Sequence, residues 1–429
     1  VKGREMSTAP EELMLSPYRV LDLTDEKGLL CGKVLGDLGA DVIKIEKPGG
    51  DVARNTGPFY KDEVHPEKSL YWFFTNANKR GITLDITTNE GQELFKRLVK
   101  TAGIVVESYD PGYMAGRGLG YEDLCRVKTD IIMTSVSPFG QTGPYAHFQH
   151  SDLTTWAMGG LPFQTGVTER EPLGCYLHQA NFHGGLHAAM ASLMALMHRI
   201  NTGEGQYIDV SIQQAVILAL MASAEFWDVL KIVQKRVGHV WVLHRPDPPG
   251  DFILRRVYPC KDGHLIGLLL GGTEGLIKSS TTFTRWALSE GYMQDCADYD
   301  WHSFDAMGIT QEQYDRITNS AIEFLMTKTK QEVMERAIAE GIQFCPVNTV
   351  ADIRHSPHYQ ARGYWDNTVE HPELGDSFPY PGPPVNTSAA PWSIRRRAPL
   401  IGEHNEEIYM GELGLTDENL AELKTNGVI

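Results

Sequence analysis

The first half of the chain alternates short apolar runs with longer stretches in which apolar positions recur every three or four residues. YRVLDLT (18–24), DVIKIE (41–46), GITLDI (81–86), IVVESY (104–109) and IIMTSV (131–136) have the length and β-branched content of buried strands. Between them, GLLCGKVLGDLGA (28–40), NEGQELFKRLVKTA (89–102) and YEDLCRVK (121–128) carry helical spacing. This alternation predicts a parallel sheet covered by helices on both faces. The period then lengthens. In GGLHAAMASLMALMHR (184–199), Leu186, Met190, Leu193, Met194 and Met197 form one stripe of a long buried helix, and Asn201-Thr202-Gly203 supplies its stop. A strand, QYIDVS (206–211), and a second buried helix (212–230) are expected after it.

From about residue 235 the pattern changes. VYPCKDGHLIGLLLGG (257–272) predicts a hairpin around Lys261-Asp262-Gly263, and helical stretches follow at 310–328 and 330–340. The tail, with HPELGDSFPYPGPPVNTSAAPW (371–392), is too rich in Pro and Gly to form a core of its own and is expected to wrap over another surface. The pattern therefore divides the chain into a large α/β domain (15–230), a smaller α+β domain (235–340) and a returning tail (341–429).

Composition narrows the function classes. A chain of 429 residues, 42 % hydrophobic and 22 % charged, is globular and long enough for two domains. Its formal net charge of -16 argues against general binding to nucleic acid or acidic membranes. The start, VKGREMSTAPEEL, has no apolar core of the kind an export signal needs, and Met6 reads as a natural start. AVILALMASAEFW (215–227) is too short to span a membrane and contains Glu225. The six cysteines are scattered without a CxxC pair, so reduced thiols in a cytoplasmic protein are expected and a metal site is not.

In an open parallel sheet, ligands bind beyond the carboxyl ends of the strands. The loops that follow such ends are EKPGGDVAR (46–54), ESYDPGYMAGRG (107–118) and SPFGQTGPY (137–145), with NANKRG (76–81) between them. They bring Lys44, Lys47, Arg54, Lys79, Arg80, Tyr109 and Arg117 to one region, which suits a ligand with phosphates and a flat base. Solvated surface charge is the competing reading of each cation. The loop DEKGLLCG (25–32) lacks the GxGxxG of a dinucleotide site, so NAD is disfavoured. Asn181, in HQANFHGG, precedes Gly184-Gly185 at the amino end of the long helix, where unpaired N–H groups favour negative charge. A carboxylate there would be a good nucleophile with room for substrate beside it. The amide keeps the shape and loses the charge. A simple helix cap is the alternative role for Asn181.

Together these motifs resemble the class III coenzyme A transferases. The matching stretches are CGKVLGDLGADVIKIEKPGGDVAR (31–54), NANKRGITLD (76–85), VVESYDPG (105–112), GRGLGYEDL (116–124), SVSPFGQTGPY (135–145), ALMHRINTGEGQYIDVS (195–211) and APLIGEHNEEI (398–408). The resemblance implies an α/β fold, a Rossmann-like large domain plus a smaller α+β domain, with two chains interlocked in a ring-like dimer. It implies coenzyme A thioesters as substrates, with no other cofactor and no metal. Arg54, Lys79, Arg80, Ser108, Tyr109 and Arg117 match the family's positions around the CoA nucleotide, Ser108 replacing a common asparagine. GLLLGGTEGL (267–276) resembles the family's glycine loop, with Gly271 and Gly272 as its mobile members; an ordinary hairpin end is the alternative.

The family reaction centres on an aspartate that attacks the acyl thioester. Counting back from His198-Arg199 places Asn181 at that position. Asp152 matches a family aspartate that is not the nucleophile, and Glu169 and Glu171 read as solvated loop residues. A racemase relative would need a histidine–aspartate pair. That aspartate is absent, and His150 is offset by one, with Ser151 in the matching place. His147, His150, His178, His183 and His187 read as ordinary polar or substrate-facing residues. Three explanations stand. The chain is the nucleophile-lacking subunit of a two-subunit transferase, moving CoA from succinyl-CoA to an aryl-substituted dicarboxylate such as (R)-benzylsuccinate. Its partner is then an aspartate-bearing paralogous subunit, in a heterodimer or heterotetramer. Otherwise it is a homodimer whose aspartate was exchanged for asparagine, or a non-catalytic CoA-binding scaffold.

Overall fold

The apolar runs pair in parallel. β1 (Arg19–Leu23), β2 (Asp41–Glu46), β3 (Lys79–Thr83), β4 (Ile104–Glu107), β5 (Ile132–Ser137) and β6 (Tyr207–Ser211) form one sheet in the order β3-β2-β1-β4-β5-β6. This is a computed structural model, and it describes residues 13–220, 223–246, 248 and 250–429; Met6 lies outside the described residues. The helices are α1 (Leu29–Asp37), α2 (Leu70–Asn76), α3 (Asn89–Thr101), α4 (Tyr121–Val127), α5 (Asp152–Met158), α6 (Gln179–Thr202), α7 (Ile212–Ile217) and α8 (Ser223–Leu230). Successive strand residues point to opposite faces. Leu21, Leu23, Ile43, Ile45 and Val105 pack on α3 through Leu94, Phe95, Leu98 and Val99. Val20, Val42, Ile104 and Val106 pack under α1 and α6. Each such side chain contributes about 1.5–3 kcal/mol when fully buried.

The chain divides into two compact units. One runs through Leu161, then takes Gly174–Ile232 and Pro357–Ile429; the other holds Pro162–Leu173 and Val233–Ser356. In the second unit, β7 (Val240–Leu243) pairs with β8 (Phe252–Arg255). A three-stranded antiparallel sheet follows the order β11-β10-β9, from β9 (Val257–Cys260), β10 (Gly263–Gly267) and β11 (Phe344–Pro346). Cys260 opposes Gly263, so Lys261 and Asp262 form the expected hairpin tip. Phe283, Trp286, Tyr258, Phe324 and Phe344 are central to the core under α9 (Glu274–Ser289), α10 (Gln311–Leu325) and α11 (Lys330–Glu340). Because β11 pairs with β10, this unit extends through α12 (Val350–His355), beyond residue 340. The remaining chain adds α13 (Pro357–Ala361), the hairpin β12 (Asn367–His371) and β13 (Asp376–Tyr380), and α14 (Asp417–Thr425) to the first unit. There Ile408, Tyr409, Leu420 and Val428 complete the α3-side core.

Two expectations need correction. The large apolar stripe of α6 is not its buried face. Leu186, Met190, Met194 and Met197 are half or more exposed, and Leu193 is only partly buried. The buried face is made of small residues: Gly184, Gly185, Ala188, Ala189, Ser192 and Ala195, with Leu196. Close approach explains the choice. A Cβ on Gly184 would lie 2.6 Å from Ile212 Cγ1, and one on Gly185 2.9 Å from Leu30 Cβ. The segment 212–230 is likewise not one buried helix. After α7 the chain continues as a 3-10 turn at Leu218–Leu220, and α8 exposes Phe226, Trp227, Val229 and Leu230.

Gly184→Val should lower stability by about 1–3 kcal/mol through overpacking. Urea denaturation checks this; an unchanged midpoint would mean that α6 and α7 pack less tightly than described.

Candidate functional site

β1 and β4 are neighbours whose connections leave in opposite directions, so the sheet has its topological switch point there. Beyond the strand ends lies a crevice of about 440 Å³. Its walls include Leu23, Ile45, Leu84, Ile86, Tyr109 and Tyr113, with Asp25, Lys47, Asp51 and Ser108 at polar positions. The loop after β4 builds one wall. Glu107 ends the strand and accepts the Tyr109 N–H at 2.7 Å. The Ser108 hydroxyl donates to Asp25 Oδ1 and accepts the Asp25 N–H, both at 2.8 Å, tying this loop to the one after β1. The Tyr109 and Tyr113 rings stack at 4.4 Å, and the Arg117 guanidinium lies 3.5 Å over Tyr113. A flat aromatic ligand fits such a wall. Burial pushes the Glu107 carboxyl up to about 7, against opposing hydrogen bonds from Ser135 and the Tyr109 N–H.

Three of the expected nucleotide contacts are engaged elsewhere. Arg54 is fully buried, forms a two-pronged ion pair with Glu46 at 2.6 and 2.8 Å, meets Glu67 at 2.6 Å and stacks on Trp72. Lys79, also fully buried, is held by Asp22 at 2.8 Å, the Leu29 carbonyl and Asn76. Arg80 bridges Asp41, Glu407 and Glu412. These cations hold strand ends, a loop and the tail together, so they do not reach a ligand in this arrangement. Lys44 pairs with Asp51 at 3.1 Å. Around Asp22, burial opposes ionisation, but Lys79 and Lys44 outweigh it and hold the carboxyl below its usual range. Lys47 is the exposed cation on the crevice wall.

The second place of interest is the start of α6. The helix begins at Gln179, with His178 as N-cap and no side-chain cap bond, so Asn181 lies inside the first turn. It does not cap the helix. Asp152, from the start of α5, accepts the Asn181 N–H at 2.8 Å. Asn181 is 3 % exposed, and among the described residues its Nδ2 has no hydrogen-bond partner. His178 lies between the Tyr71 ring, 5.0 Å away, and the Glu26 carboxylate at 3.7 Å. Burial raises the pKa of both Glu26 and Asp152, and their mutual repulsion adds to the Glu26 shift. The Tyr71 hydroxyl is buried and has no hydrogen-bond partner among the described residues.

The remaining candidates are dispersed. His183 packs near Trp156, at 5.8 Å. His147 and Glu169 are exposed, as is Glu171. His150 is half-buried, and burial lowers its pKa. His187 is half-buried on α6. In the second unit, Gly271 is wedged: a Cβ would lie 2.4 Å from the Trp301 carbonyl oxygen. Gly272 is open, with φ +94. Tyr113, Glu26 and Tyr71 were not singled out from the sequence. Tyr113 falls four residues after Tyr109, a spacing that could have marked it. Tyr71 is hidden in the apolar run SLYWFF.

A model of CoA-transferase family III matches residues 15–405. The chain is 33 % identical over 403 residues to the succinyl-CoA:(R)-benzylsuccinate CoA-transferase subunit BbsE of Thauera aromatica, covering 92 % of this chain and 93 % of that protein. It is 31 % identical over 427 residues to the succinyl-CoA–D-citramalate CoA-transferase of Chloroflexus aurantiacus, covering 99 % and 100 %. A crystal structure of a CAIB/BAIF family protein from Brucella suis superposes with a TM-score of 0.77 at 29 % identity, covering 94 % of this chain and all of that one.

Asp152→Ala should lower stability by about 1 kcal/mol, as loss of a helix cap does. Amide exchange at Asn181 should accelerate with it; an unchanged rate would remove Asp152 from that role. Glu107 gives a pH test. Its carboxyl sits near 7 folded, against an ordinary 4.5, so the folded chain holds a proton that the unfolded chain has lost in that window. Stability from this group therefore falls as pH rises between those values. Relative to the unaltered protein, Glu107→Gln should look more stable at about pH 8 than at about pH 5, read from urea midpoints.

Proposed function

Since the chain belongs to CoA-transferase family III, we propose that it is the non-nucleophilic subunit of a transferase that moves CoA from succinyl-CoA to an aryl-substituted dicarboxylate such as (R)-benzylsuccinate. The observation that carries the reading is Asn181. The resemblance assigns this residue to the family's nucleophile position, and it is a carboxamide buried at the start of α6. The similarity to a protein named as a subunit of a benzylsuccinate transferase supports both the assembly and the acid class.

The chemistry divides between two chains. In the aspartate-bearing paralogue, a carboxylate oxygen adds to the thioester carbonyl, the C–S bond breaks and CoA leaves as thiolate. The enzyme is left with a mixed anhydride, and the thiolate then attacks the aspartyl carbonyl, releases the first acid and leaves an enzyme thioester. The incoming carboxylate attacks the aspartyl thioester carbonyl and expels CoA thiolate, giving a second mixed anhydride; the thiolate then attacks the acyl carbonyl of that anhydride, forming the new CoA thioester and freeing the aspartate. An amide nitrogen cannot take the first step, because its lone pair is delocalised into the carbonyl. In this chain, the crevice at the ends of β1–β4 accommodates the CoA nucleotide, with the base against Tyr109 and Tyr113 and a phosphate near Lys47. Arg117 supports that wall through Tyr113. The loop at Gly271 and Gly272 is taken as the counterpart of the family's glycine loop, with Gly272 as its open member. The exposed stripe of α6 and the outer face of α8 are the surfaces that the paralogue covers as the two chains interlock. Among the described residues no helix is long and apolar enough to cross a membrane. A cytoplasmic location is part of the proposal and is supported by the free, scattered cysteines.

The purified chain alone should show no succinyl-CoA-dependent CoA transfer in a coupled assay, and co-expression with an aspartate-bearing paralogue should restore it. Robust turnover by the chain alone would defeat the subunit reading. If Asn181→Asp by itself creates turnover, the chain is a homodimeric transferase lacking only its carboxylate.

A further inference from the structure

The tail hairpin and α2 together line an apolar cavity that the account above does not use. Leu70, Phe73 and Phe74 are spaced i, i+3 and i+4, so they share one face of α2. Phe59, from the loop before α2, and Phe378 and Tyr380, from β13, complete the wall. The cavity measures about 340 Å³. Small-molecule sites span about 300–1,000 Å³. The rings touch one another. Tyr60 meets Phe378 edge-on at 5.4 Å, and the buried His371 lies 4.4 Å from Phe73 and 5.2 Å from Phe378. Leu70 and Phe74 remain 39 % and 36 % exposed. The cavity shares no lining residue with the crevice at the strand ends.

Its polar groups decide which ligand fits. The Tyr60 hydroxyl donates to Asp376 at 2.8 Å. Glu373 pairs with Arg397 at 3.0 Å and lies 2.9 Å from His371 Nδ1, so it is the acceptor and the imidazole proton sits on Nδ1. Burial lowers the His371 pKa and keeps the ring neutral. Nε2 is then an acceptor too, and the Tyr380 hydroxyl donates to it at 2.9 Å. Pro379 and Pro381, also on the wall, bring no N–H. The lining side chain left with uncommitted donors is Lys61. Among the described residues it is in no ion pair, and its ammonium lies 4.8 Å over the Tyr60 ring. The acids near it are engaged, Asp376 by Tyr60 and Glu63 by Lys68. Lys61 and Asp62 both hold positive φ, +52 and +58, which few non-glycine residues adopt. Such outliers gather at ligand clamps.

We infer that this cavity binds an aryl monocarboxylate, with its ring among Phe59, Phe73, Phe74 and Phe378 and its carboxylate on the Lys61 ammonium. Offset and edge-on ring contacts favour an aromatic body over an aliphatic one. One free cation matches one carboxylate. A second carboxylate would meet only acceptors and apolar carbon, where its charge has no compensation. No bond forms or breaks at this site. The inference goes beyond the CoA-transfer reading and does not depend on it.

The test titrates the whole purified chain, in its native assembly, with 3-phenylpropionate and with 3-phenylpropanamide, whose amide is neutral. Calorimetry should show the acid binding about three- to fivefold tighter, the value of an exposed ion pair. Lys61→Gln should erase that difference while the amide still binds. Leu70→Trp should fill the cavity and abolish binding of both ligands, with an unchanged melting temperature as evidence of folding. If that variant is unstable, Lys61→Gln, on an exposed turn, decides alone. Equal affinities in the unaltered protein, or a difference that survives Lys61→Gln, would overturn the site. Binding that survives Leu70→Trp would do so as well, by placing the ligand elsewhere on the chain. Absence of heat with both ligands would also refute it. If Leu70→Trp dissociates the assembly in light scattering, the face is a subunit contact and the ligand site falls. CoA transfer is read in a separate assay, so none of these outcomes alters that proposal.

Discussion

The site depends on how closely α6 approaches its neighbours. Its buried face carries glycine, alanine and serine, and added methyl groups at Gly184 or Gly185 would collide with Ile212 or Leu30. That contact fixes the helix axis, and the axis fixes where the first turn lies. Asn181 is buried because the turn is pulled in, beside the loop after β1 that carries Glu26. The same constraint turns the methionines outward. With small residues filling the contact, no room remains beneath the helix for Met190, Met194 or Met197, so the long apolar side chains are left for another surface to cover.

Electrostatics around the sheet follow a related logic. Asp22, Lys44, Glu46, Arg54 and Lys79 are all buried near the strand ends. Removing such charges from water is costly unless each has a close partner, and each has one. These pairs tie loops to strands and tail to sheet. They also withdraw Arg54, Lys79 and Arg80 from ligand contact, which leaves the crevice to rely on stacked rings, apolar walls and Lys47. Under the proposed CoA-binding reading, the crevice therefore offers more to a flat base than to phosphate charge.

The amide at Asn181 is compatible with its surroundings in a way that a third carboxylate would not be. Glu26 and Asp152 both have raised pKa values because burial disfavours their charged forms. Asp152 already occupies the role of accepting the orphan N–H at the helix start. An amide adds a donor to this acidic setting rather than another negative charge.

Much of the fold was legible in the chain because buried strands and their covering helices leave a period in the sequence. The six parallel strands, α3, α4 and the hairpin tip at Lys261-Asp262 follow directly from it. Asn181 stood out on sequence alone, since an amide and a carboxylate differ chemically wherever the residue sits. Which face of α6 is buried could not be read in this way. Periodicity reports where apolar residues recur, and both the methionine stripe and the alanine–glycine stripe recur at helical spacing; only the distance to Ile212 and Leu30 separates them. The fate of Arg54, Lys79 and Arg80 was equally out of reach, because an arginine bound to phosphate and one bound to Glu46 look identical in one dimension. Their acceptors come from distant parts of the chain, and only the folded arrangement brings Glu407 and Glu412 to Arg80, or Asp22 to Lys79.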